Sequence, residues 1–347
     1  MNTALLPISP LEAAKRLSNA LPARRMRDVL ERRFGLKGAH KATLEEIGQS
    51  YKITRERVRQ IEADAFRRVR MSGSVAQMEP VYRAVRNQLG HLGGVAASHH
   101  LFGSFAERKH YPHLHFLLSF NPAFAFLVED EDFHSRWALD KNTAALAEDT
   151  IRKTVRALEE KNQPVSHAEL LGIAREASGG VFPAPAESGH LDSYIASTKL
   201  IKANPYGEYG GTSWSAITPR GIKDKAYVAL RHARAPAHFR EVATLIDAGG
   251  WNKKKVHPQT VHNELIKDKR FVLVGRGMYA LREWGYAEGS VREVIASLLK
   301  DSRGPLTREE IITLASEKRM VKPQTILLNL QNRDLFRKTD DGKYTLV

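Results

Sequence analysis

The 347-residue sequence contains no cysteine and no long apolar run. Without cysteine the chain cannot form disulfides, thiolate zinc sites or a cysteine nucleophile. No stretch approaches the roughly 20 apolar residues that span a bilayer, and residues 1–10 lack the basic start and apolar segment of a secretory signal. We therefore expect a cytoplasmic protein with no membrane partner.

Motifs for catalysis and for cofactor binding are also missing. The sequence has no Gly-x-Ser-x-Gly elbow and no His-Glu-x-x-His helix, and the glycines at 207–211 are not followed by the Gly-Lys-Ser/Thr of a phosphate loop. Seven of the fourteen histidines lie within residues 91–134. Because no thiolate or close carboxylate pair accompanies them, they predict partly exposed surface side chains. We expect no enzyme activity, no catalytic residue, no metal and no cofactor.

Positive charge, by contrast, is abundant and concentrated. The formal net charge is +15, and residues 21–70 hold fourteen Lys/Arg against seven acids. Residues 219–285 hold fourteen against six, so these two segments account for the whole excess. This distribution is typical of a chain that touches a polyanion at two places, with solubilising charge as the alternative.

A repeat of about 70 residues organises the chain beyond residue 75. Each copy predicts an amphipathic helix, a short extended segment, two further helices and a β-hairpin. The third helices of the last two copies begin with similar text, His257-Pro258-Gln259-Thr260-Val261 and Lys322-Pro323-Gln324-Thr325-Ile326. Three helices and a hairpin form a winged helix. The predicted fold is therefore mainly α with small β-hairpins, a helix-turn-helix domain followed by a tandem array of winged-helix units at 75–140, 143–218, 219–286 and 288–347.

Charge and local signals distinguish these units. The second is the least regular, because residues 178–189 insert a Pro/Gly/Ser-rich loop before its third helix. The first carries the acidic run 129–132 at its wing, which would repel phosphate. In the third unit Lys253, Lys254 and Lys255 lie just ahead of the third helix, where a nucleic-acid backbone would pass.

Residues 21–72, after an N-terminal helix or arm at 1–20, predict a helix-turn-helix. Thr43-Leu44-Glu45-Glu46 is a capping box for a short helix ending near Ser50. Thr54 then caps a longer helix that runs to about Arg70.

The predicted second helix has an inward and an outward face. Its inward stripe is Val58, Ile61 and Ala65. The outward side of its first turns carries Arg, Glu and Gln side chains, which can pair with guanine, cytosine and adenine respectively. A patch built only for phosphate would not include a carboxylate. The predicted base-reading residues are Arg55, Glu56, Arg59 and Gln60.

This segment resembles region 4 of the sigma-70 family. The resemblance rests on Leu21-Pro22-Ala23-Arg24-Arg25-Met26-Arg27-Asp28-Val29-Leu30, on Thr43-Leu44-Glu45-Glu46-Ile47-Gly48 and above all on Thr54-Arg55-Glu56-Arg57-Val58-Arg59-Gln60-Ile61-Glu62. It implies recognition of the upstream (−35) promoter element, with Arg55, Glu56 and Gln60 at the base-reading positions, and a surface for the β flap of RNA polymerase. Nothing in the chain resembles the region that melts promoters, so we do not expect a complete sigma factor.

Residues 219–286 resemble a HARE-type helix-turn-helix domain. The resemblance is carried by Ala237-His238-Phe239-Arg240-Glu241-Val242-Ala243 and by Arg270-Phe271-Val272-Leu273-Val274-Gly275-Arg276-Gly277. That family includes the folded domain of the RNA polymerase delta subunit and domains attached to restriction and chromatin proteins, so the likeness implies a fold more than a function.

The sequence thus predicts a nucleoid-associated, sequence-specific DNA-binding transcription regulator whose partners are double-stranded DNA and RNA polymerase. Two alternatives stay open: a delta-like polymerase accessory subunit with weak DNA binding, and a DNA-binding component of a restriction or defence system. The predicted phosphate-binding residues are Thr43, Lys52, Thr54, Arg57, Arg67, Lys253, Lys254, Lys255 and Arg276.

Overall fold

The computed structural model describes residues 5–38, 40–179 and 188–347. The predicted mainly helical fold with small antiparallel hairpins is confirmed. The chain forms two compact units, one of residues 1–202 with 209–212 and the other of residues 203–208 with 213–347. Across the described ranges, every helix is too short or too polar to cross a membrane.

The N-terminal part of the first compact unit contains the predicted helix-turn-helix. Thr43 and Glu46 form the capping box, and the Thr54 hydroxyl accepts a hydrogen bond from the backbone N–H of Arg57. The short helix ends one residue beyond the predicted Ser50. The helices are α1 (Pro10–Asn19), α2 (Arg24–Phe34), α3 (Leu44–Tyr51) and α4 (Arg55–Met71).

The first repeat follows, as three helices and a small sheet in which the last strand is central. Its sheet order is β1-β3-β2, with all pairs antiparallel, and it includes the looser predicted hairpin around residues 124–139. The elements are α5 (Glu79–His91), β1 (Val95–Ala97), α6 (Ser98–Gly103), α7 (Tyr111–Leu118), β2 (Ala125–Leu127) and β3 (Arg136–Ala138).

One hydrophobic core joins the helix-turn-helix to this first repeat. Leu17 of α1, Leu30 of α2 and Val69 of α4 belong to the same buried cluster as Phe116 of α7 and Phe120 just after it. Residues of the predicted ranges 1–20, 21–72 and 75–140 therefore share one apolar interior. Within α4, Ala65 and Val69 belong to this shared core, whereas Val58 is buried in a smaller cluster with Val29 and Ile47.

The second repeat begins earlier than its amphipathic pattern indicated. Its first helix starts at Lys141 rather than near Ile151, because the Asp140 side chain caps the backbone N–H of Thr143. Ser166 forms a capping box with Glu169, as its position predicted. Most of the predicted loop 178–189 lies outside the described residues. The elements are α8 (Lys141–Lys161), α9 (His167–Ala177), α10 (Ser188–Ser197), β4 (Ile201–Ala203) and β5 (Tyr209–Gly211).

The second compact unit contains two more repeats, each with its own core. Val261, Leu265 and Tyr279 are buried in the third repeat, and Ile311 and Ile326 in the fourth. The elements of the third are α11 (Ile222–Ala233), β6 (Ala237–His238), α12 (Phe239–Ala248), α13 (Pro258–Lys267), β7 (Phe271–Gly275) and β8 (Met278–Leu281). Those of the fourth are α14 (Val291–Asp301), α15 (Arg308–Lys318), α16 (Pro323–Leu330), β9 (Phe336–Lys338) and β10 (Tyr344–Leu346).

Candidate nucleic-acid interface

The start of α4 presents a polar surface to solvent. Val58 and Ala65 are completely buried and Ile61 is half-buried, as the predicted inward stripe requires. The predicted base-reading residues lie on the other side of the helix, and all four are exposed: Arg55, Glu56, Arg59 and Gln60.

Three of these side chains are linked to one another. The Arg59 guanidinium donates two hydrogen bonds to the Glu56 carboxylate, from Nε at 2.8 Å and from Nη2 at 2.7 Å. The Gln60 amide lies 3.5 Å from the same carboxylate, and Arg57 Nη1 donates to Gln60 Oε1 at 3.0 Å. Among the described residues, no hydrogen bond or ion pair engages the Arg55 guanidinium. Of the two predicted base-reading arginines, Arg55 is therefore the one whose guanidinium is free of intramolecular partners among the described residues.

Glu56 is held in its ionised form. The hydrogen bond from Arg59 lowers the pKa of the Glu56 carboxyl, and the charges of Arg59 and Arg55 act in the same direction. A carboxylate in that state only accepts hydrogen bonds. The pair of Glu56 and Arg55 thus offers one acceptor and one donor group at the exposed helix start.

The turn before α4 fixes its angle to α3. Lys52 ends α3 in the left-handed region, with φ of 54°. A Cβ on Gly48 would lie 2.7 Å from the Ile53 carbonyl oxygen, so only glycine allows α3 to approach the turn this closely. This tight turn therefore fixes the start of α3, at Thr43, relative to the start of α4, at Thr54.

The predicted phosphate contacts of this region do not all lie together. Lys52, Thr54 and Arg57 are exposed around the start of α4. Thr43 caps α3, but its backbone N–H already donates to Glu46 Oε2 at 2.6 Å, which leaves its hydroxyl as the donor.

Arg67 is separate from this group. It lies twelve residues beyond Arg55, which is about 18 Å along a helix. Its guanidinium pairs with Asp64, which also receives Arg68 Nε at 2.9 Å. The structure therefore does not place Arg67 with the other predicted contacts.

The third repeat carries the second predicted basic surface. Lys253, Lys254 and Lys255 are exposed in the segment before α13, and Arg276 is exposed at the turn between β7 and β8. No other described residue forms an ion pair or hydrogen bond with these four side chains. Each of the two compact units thus carries one exposed basic surface.

Some residues that support α4 were missed by the sequence reasoning. Arg33 of α2 donates to Glu62 of α4 at 3.0 Å and to the Ala42 carbonyl oxygen at 2.8 Å, so it ties both helices to the segment before α3. The Tyr51 hydroxyl donates to Asp28 at 2.8 Å. The mixture of acids and bases within residues 21–70 is the signal that predicts such internal pairs.

The expected surface position of the clustered histidines was wrong for His113. This side chain is only 5% exposed, because α1 and α2 cover the face of α7 on which it lies. His115, two residues on, is half-buried beside Phe126 and Trp137. Within the described ranges, no three His, Asp or Glu side chains converge as metal ligands would.

A helix-turn-helix with an exposed, chemically mixed second helix has the architecture of a class of nucleic-acid-binding domains. Comparison with known proteins makes this more specific. Residues 20–71 match the family model described as Sigma-70, region 4. The RNA polymerase sigma factors SigA of Nostoc sp. and of Microcystis aeruginosa are each 59% identical to this chain over 46 residues.

That similarity is confined to one module. The 46 residues are 13% of this chain, and the match spans 12% of the Nostoc protein and 11% of the Microcystis protein. The chain therefore resembles these sigma factors in a region 4 module only. The four repeats beyond it lie outside the match.

Proposed function

We propose that the protein is a sequence-specific DNA-binding transcription regulator that reads a promoter element through its sigma region 4-like module. The exposure of Arg55, Glu56, Arg59 and Gln60 on the second helix of that module carries the proposal. The matched sigma factor region supports it. The activity proposed is binding, with no catalytic step.

The chemistry of α4 matches the edges of base pairs in a major groove. An α-helix fits that groove, and its first turns reach the bases. Arg55 would donate to guanine O6 and N7, and Glu56 would accept from a cytosine amino group. For Gln60 to pair with adenine, its amide must leave Arg57, which is then free to turn to a phosphate.

RNA polymerase is the second partner that we propose, through the β flap. The similarity to RNA polymerase sigma factors supports this contact. A delta-like accessory role is the alternative, and the near-neutral charge of the first two repeats favours it. Precipitation of core polymerase with the purified protein tests the contact, and weak binding to free duplex DNA in the same preparation would favour the accessory role.

The decisive experiment enriches duplexes from a random pool with the full chain and then measures binding of variants to the selected site. Arg55→Ala should weaken binding by about 1–3 kcal/mol and relax the preference at one position. Replacing Lys253, Lys254 and Lys255 by alanine should weaken binding to every duplex and reduce the slope of log K against log salt by up to about 0.9 per lost phosphate contact.

Arg68→Ala is the matched control for Arg55. Arg68 is an exposed arginine on the same helix, more than three turns away, and its partner is Asp64. It should leave the selected sequence unchanged. A random pool that yields no preferred sequence would overturn the proposal, and so would an Arg55→Ala variant that binds as the parent does.

A further inference from the structure

The third helices of the four repeats differ in what covers them. In the first compact unit, α7 packs against α1 and α2, and α10 packs against β1. Ser193 of α10 donates to the Val95 carbonyl oxygen at 2.7 Å. In the second compact unit, α13 and α16 each keep an exposed outer face. These two helices are therefore the ones available to a ligand.

The outer face of α13 carries hydrogen-bonding groups. Val261 and Leu265 are buried on its inner side. Facing away from them are exposed side chains that provide two amides, a hydroxyl and an ammonium group: Gln259, Asn263, Thr260 and Lys267. One apolar side chain, Ile266, is also exposed on this face, to 63%.

The two amides lie within hydrogen-bond distance of each other. Gln259 Nε2 lies 3.3 Å from Asn263 Oδ1, one helical turn along, and also 3.3 Å from His262 Nδ1. This contact leaves the Gln259 oxygen as an acceptor and the Asn263 amino group as a donor. An acceptor beside a donor complements the N6 amino group and N7 of adenine in the major groove.

The surroundings of this face suit a nucleic-acid backbone. Lys253, Lys254 and Lys255 precede the helix, and Arg276 lies at the hairpin turn that follows it. The acid nearest in sequence to the face, Glu264, is half-buried and lies 3.9 Å from Lys267. Unpaired cations thus flank the amides on both sides along the chain.

The fourth repeat provides an internal comparison. Gln324 and Thr325 of α16 correspond to Gln259 and Thr260, but the position of Asn263 is taken by Leu328, which is 67% exposed. The three lysines correspond to Lys318, Arg319 and Met320, and Arg319 is 9% exposed. The helix α16 therefore lacks the amide pair, and the fourth repeat keeps one exposed cation, Lys318, at the three lysine positions.

We infer that α13 is a second base-reading helix, in which Gln259 and Asn263 recognise adenine while Lys253, Lys254, Lys255 and Arg276 hold the flanking phosphates. This inference rests on the proposed DNA-binding function. It adds that the target has two separate sequence blocks, one read by α4 and the other by α13. A-form RNA is a poor alternative, because its major groove is too narrow for a helix.

Selection of duplexes by the full chain tests this directly, with the parent protein and the double variant Gln259→Ala, Asn263→Ala. The parent should enrich two conserved blocks, one of them containing adenine at a fixed position. The double variant should keep the α4 block, lose the adenine preference and bind the parent's best site about tenfold more weakly. Both replaced side chains are exposed, so circular dichroism should show an unchanged fold.

Gln324→Ala in α16 is the matched control and should select the same sites as the parent. Two conserved blocks that persist in the double variant would overturn the inference, and so would tighter binding to duplex RNA than to DNA. A single conserved block, abolished by Arg55→Ala, would overturn it while the proposed function stands. No conserved block at all would refute the proposed function itself.

Discussion

The first and third repeats share an order of elements but use their third helices in opposite ways. In the first, α7 carries Leu114, Phe116, Leu117 and Leu118, all buried in the core shared with α1, α2 and α4. In the third, α13 buries only its inner side and leaves its amides in solvent. One repeat packs against the helix-turn-helix as a scaffold, and the other exposes the outer face of its third helix to solvent.

This difference shows that side chains, not the order of elements, decide what such a repeat does. A helix that is apolar on most sides must be covered by other parts of the protein. The helix α7 is such a helix, and α1 and α2 pack against it. The acidic loop 129–132 fits the same role. Glu129 pairs with Lys199 and Asp132 with Arg152, so these acids bind within the first compact unit.

The largest expected effect comes from breaking the scaffold at Phe120. This side chain is fully buried and stacks on Phe66 of α4, with ring centroids 4.7 Å apart. Phe120→Ala should destabilise the first compact unit by about 3–5 kcal/mol. Because the core is shared, hydrogen exchange followed by mass spectrometry should show faster exchange in α4 and α7 together.

Leu330→Ala in α16 is the control for that experiment. Leu330 is 4% exposed in the separate core of the fourth repeat. Its loss should speed exchange in α14–α16 and leave α4 unchanged. If Phe120→Ala speeds exchange in residues 75–140 alone, the helix-turn-helix has its own independent core and the comparison fails.

Local signals predicted the helix-turn-helix well. The capping box at Thr43, the cap at Thr54 and the buried positions Val58 and Ala65 all follow from residue type and spacing. The exposure of Arg55 follows from the same helical periodicity. These features depend on contacts within a few residues, which a sequence shows directly.

Contacts between distant elements could not be predicted in this way. The burial of His113 depends on α1 and α2, which lie some 80–100 residues earlier in the chain. The pairing of Arg59 with Glu56, rather than with solvent, depends on rotamers that spacing alone does not fix. The apolar run around Leu117 was the one available signal that α7 is covered on every side.

Lowering the pH should reduce the stability of the first compact unit, because its buried histidines resist protonation in the folded state. Burial, with a smaller effect of the Lys41 charge, lowers the pKa of His115 to about 4, and burial also lowers the pKa of His113. Since unfolded histidine titrates near 6.5, the unfolded chain binds more protons than the folded one between these values. Stability is therefore lost as pH falls from about 6.5 towards 4.

His115 alone should cost about 2 kcal/mol between pH 7 and pH 5. The variant His115→Phe keeps an aromatic ring between Phe126 and Trp137 and cannot bind a proton. Urea unfolding at the two pH values should show a smaller loss of stability for the variant than for the parent. An equal loss in both proteins would mean that folding does not lower the pKa of His115.

The smallest effect expected tests whether α10 is pressed onto the first repeat. Gly93 and Gly38 belong to the same compact unit and both have φ of +77°, so alanine at either position carries the same left-handed strain. At Gly93 a Cβ would also lie 2.8 Å from His190 Cβ, whereas nothing lies within 4 Å at Gly38. Gly93→Ala should therefore destabilise by roughly 1–2 kcal/mol more than Gly38→Ala, within the usual range for overpacking.

Urea unfolding with an unchanged m-value measures that difference cleanly. The backbone strain is the same in the two variants and cancels in the comparison. The remaining difference in unfolding free energy therefore measures the contact between α10 and the segment before β1. The Tyr194 hydroxyl also donates to the Gly93 carbonyl oxygen at 2.7 Å, which limits how far α10 can retreat from an added methyl group. Equal losses for the two variants would show that α10 moves away freely. Of the third helices in the first compact unit, only α7 would then be tightly covered, and the contrast with α13 would be limited to the first repeat.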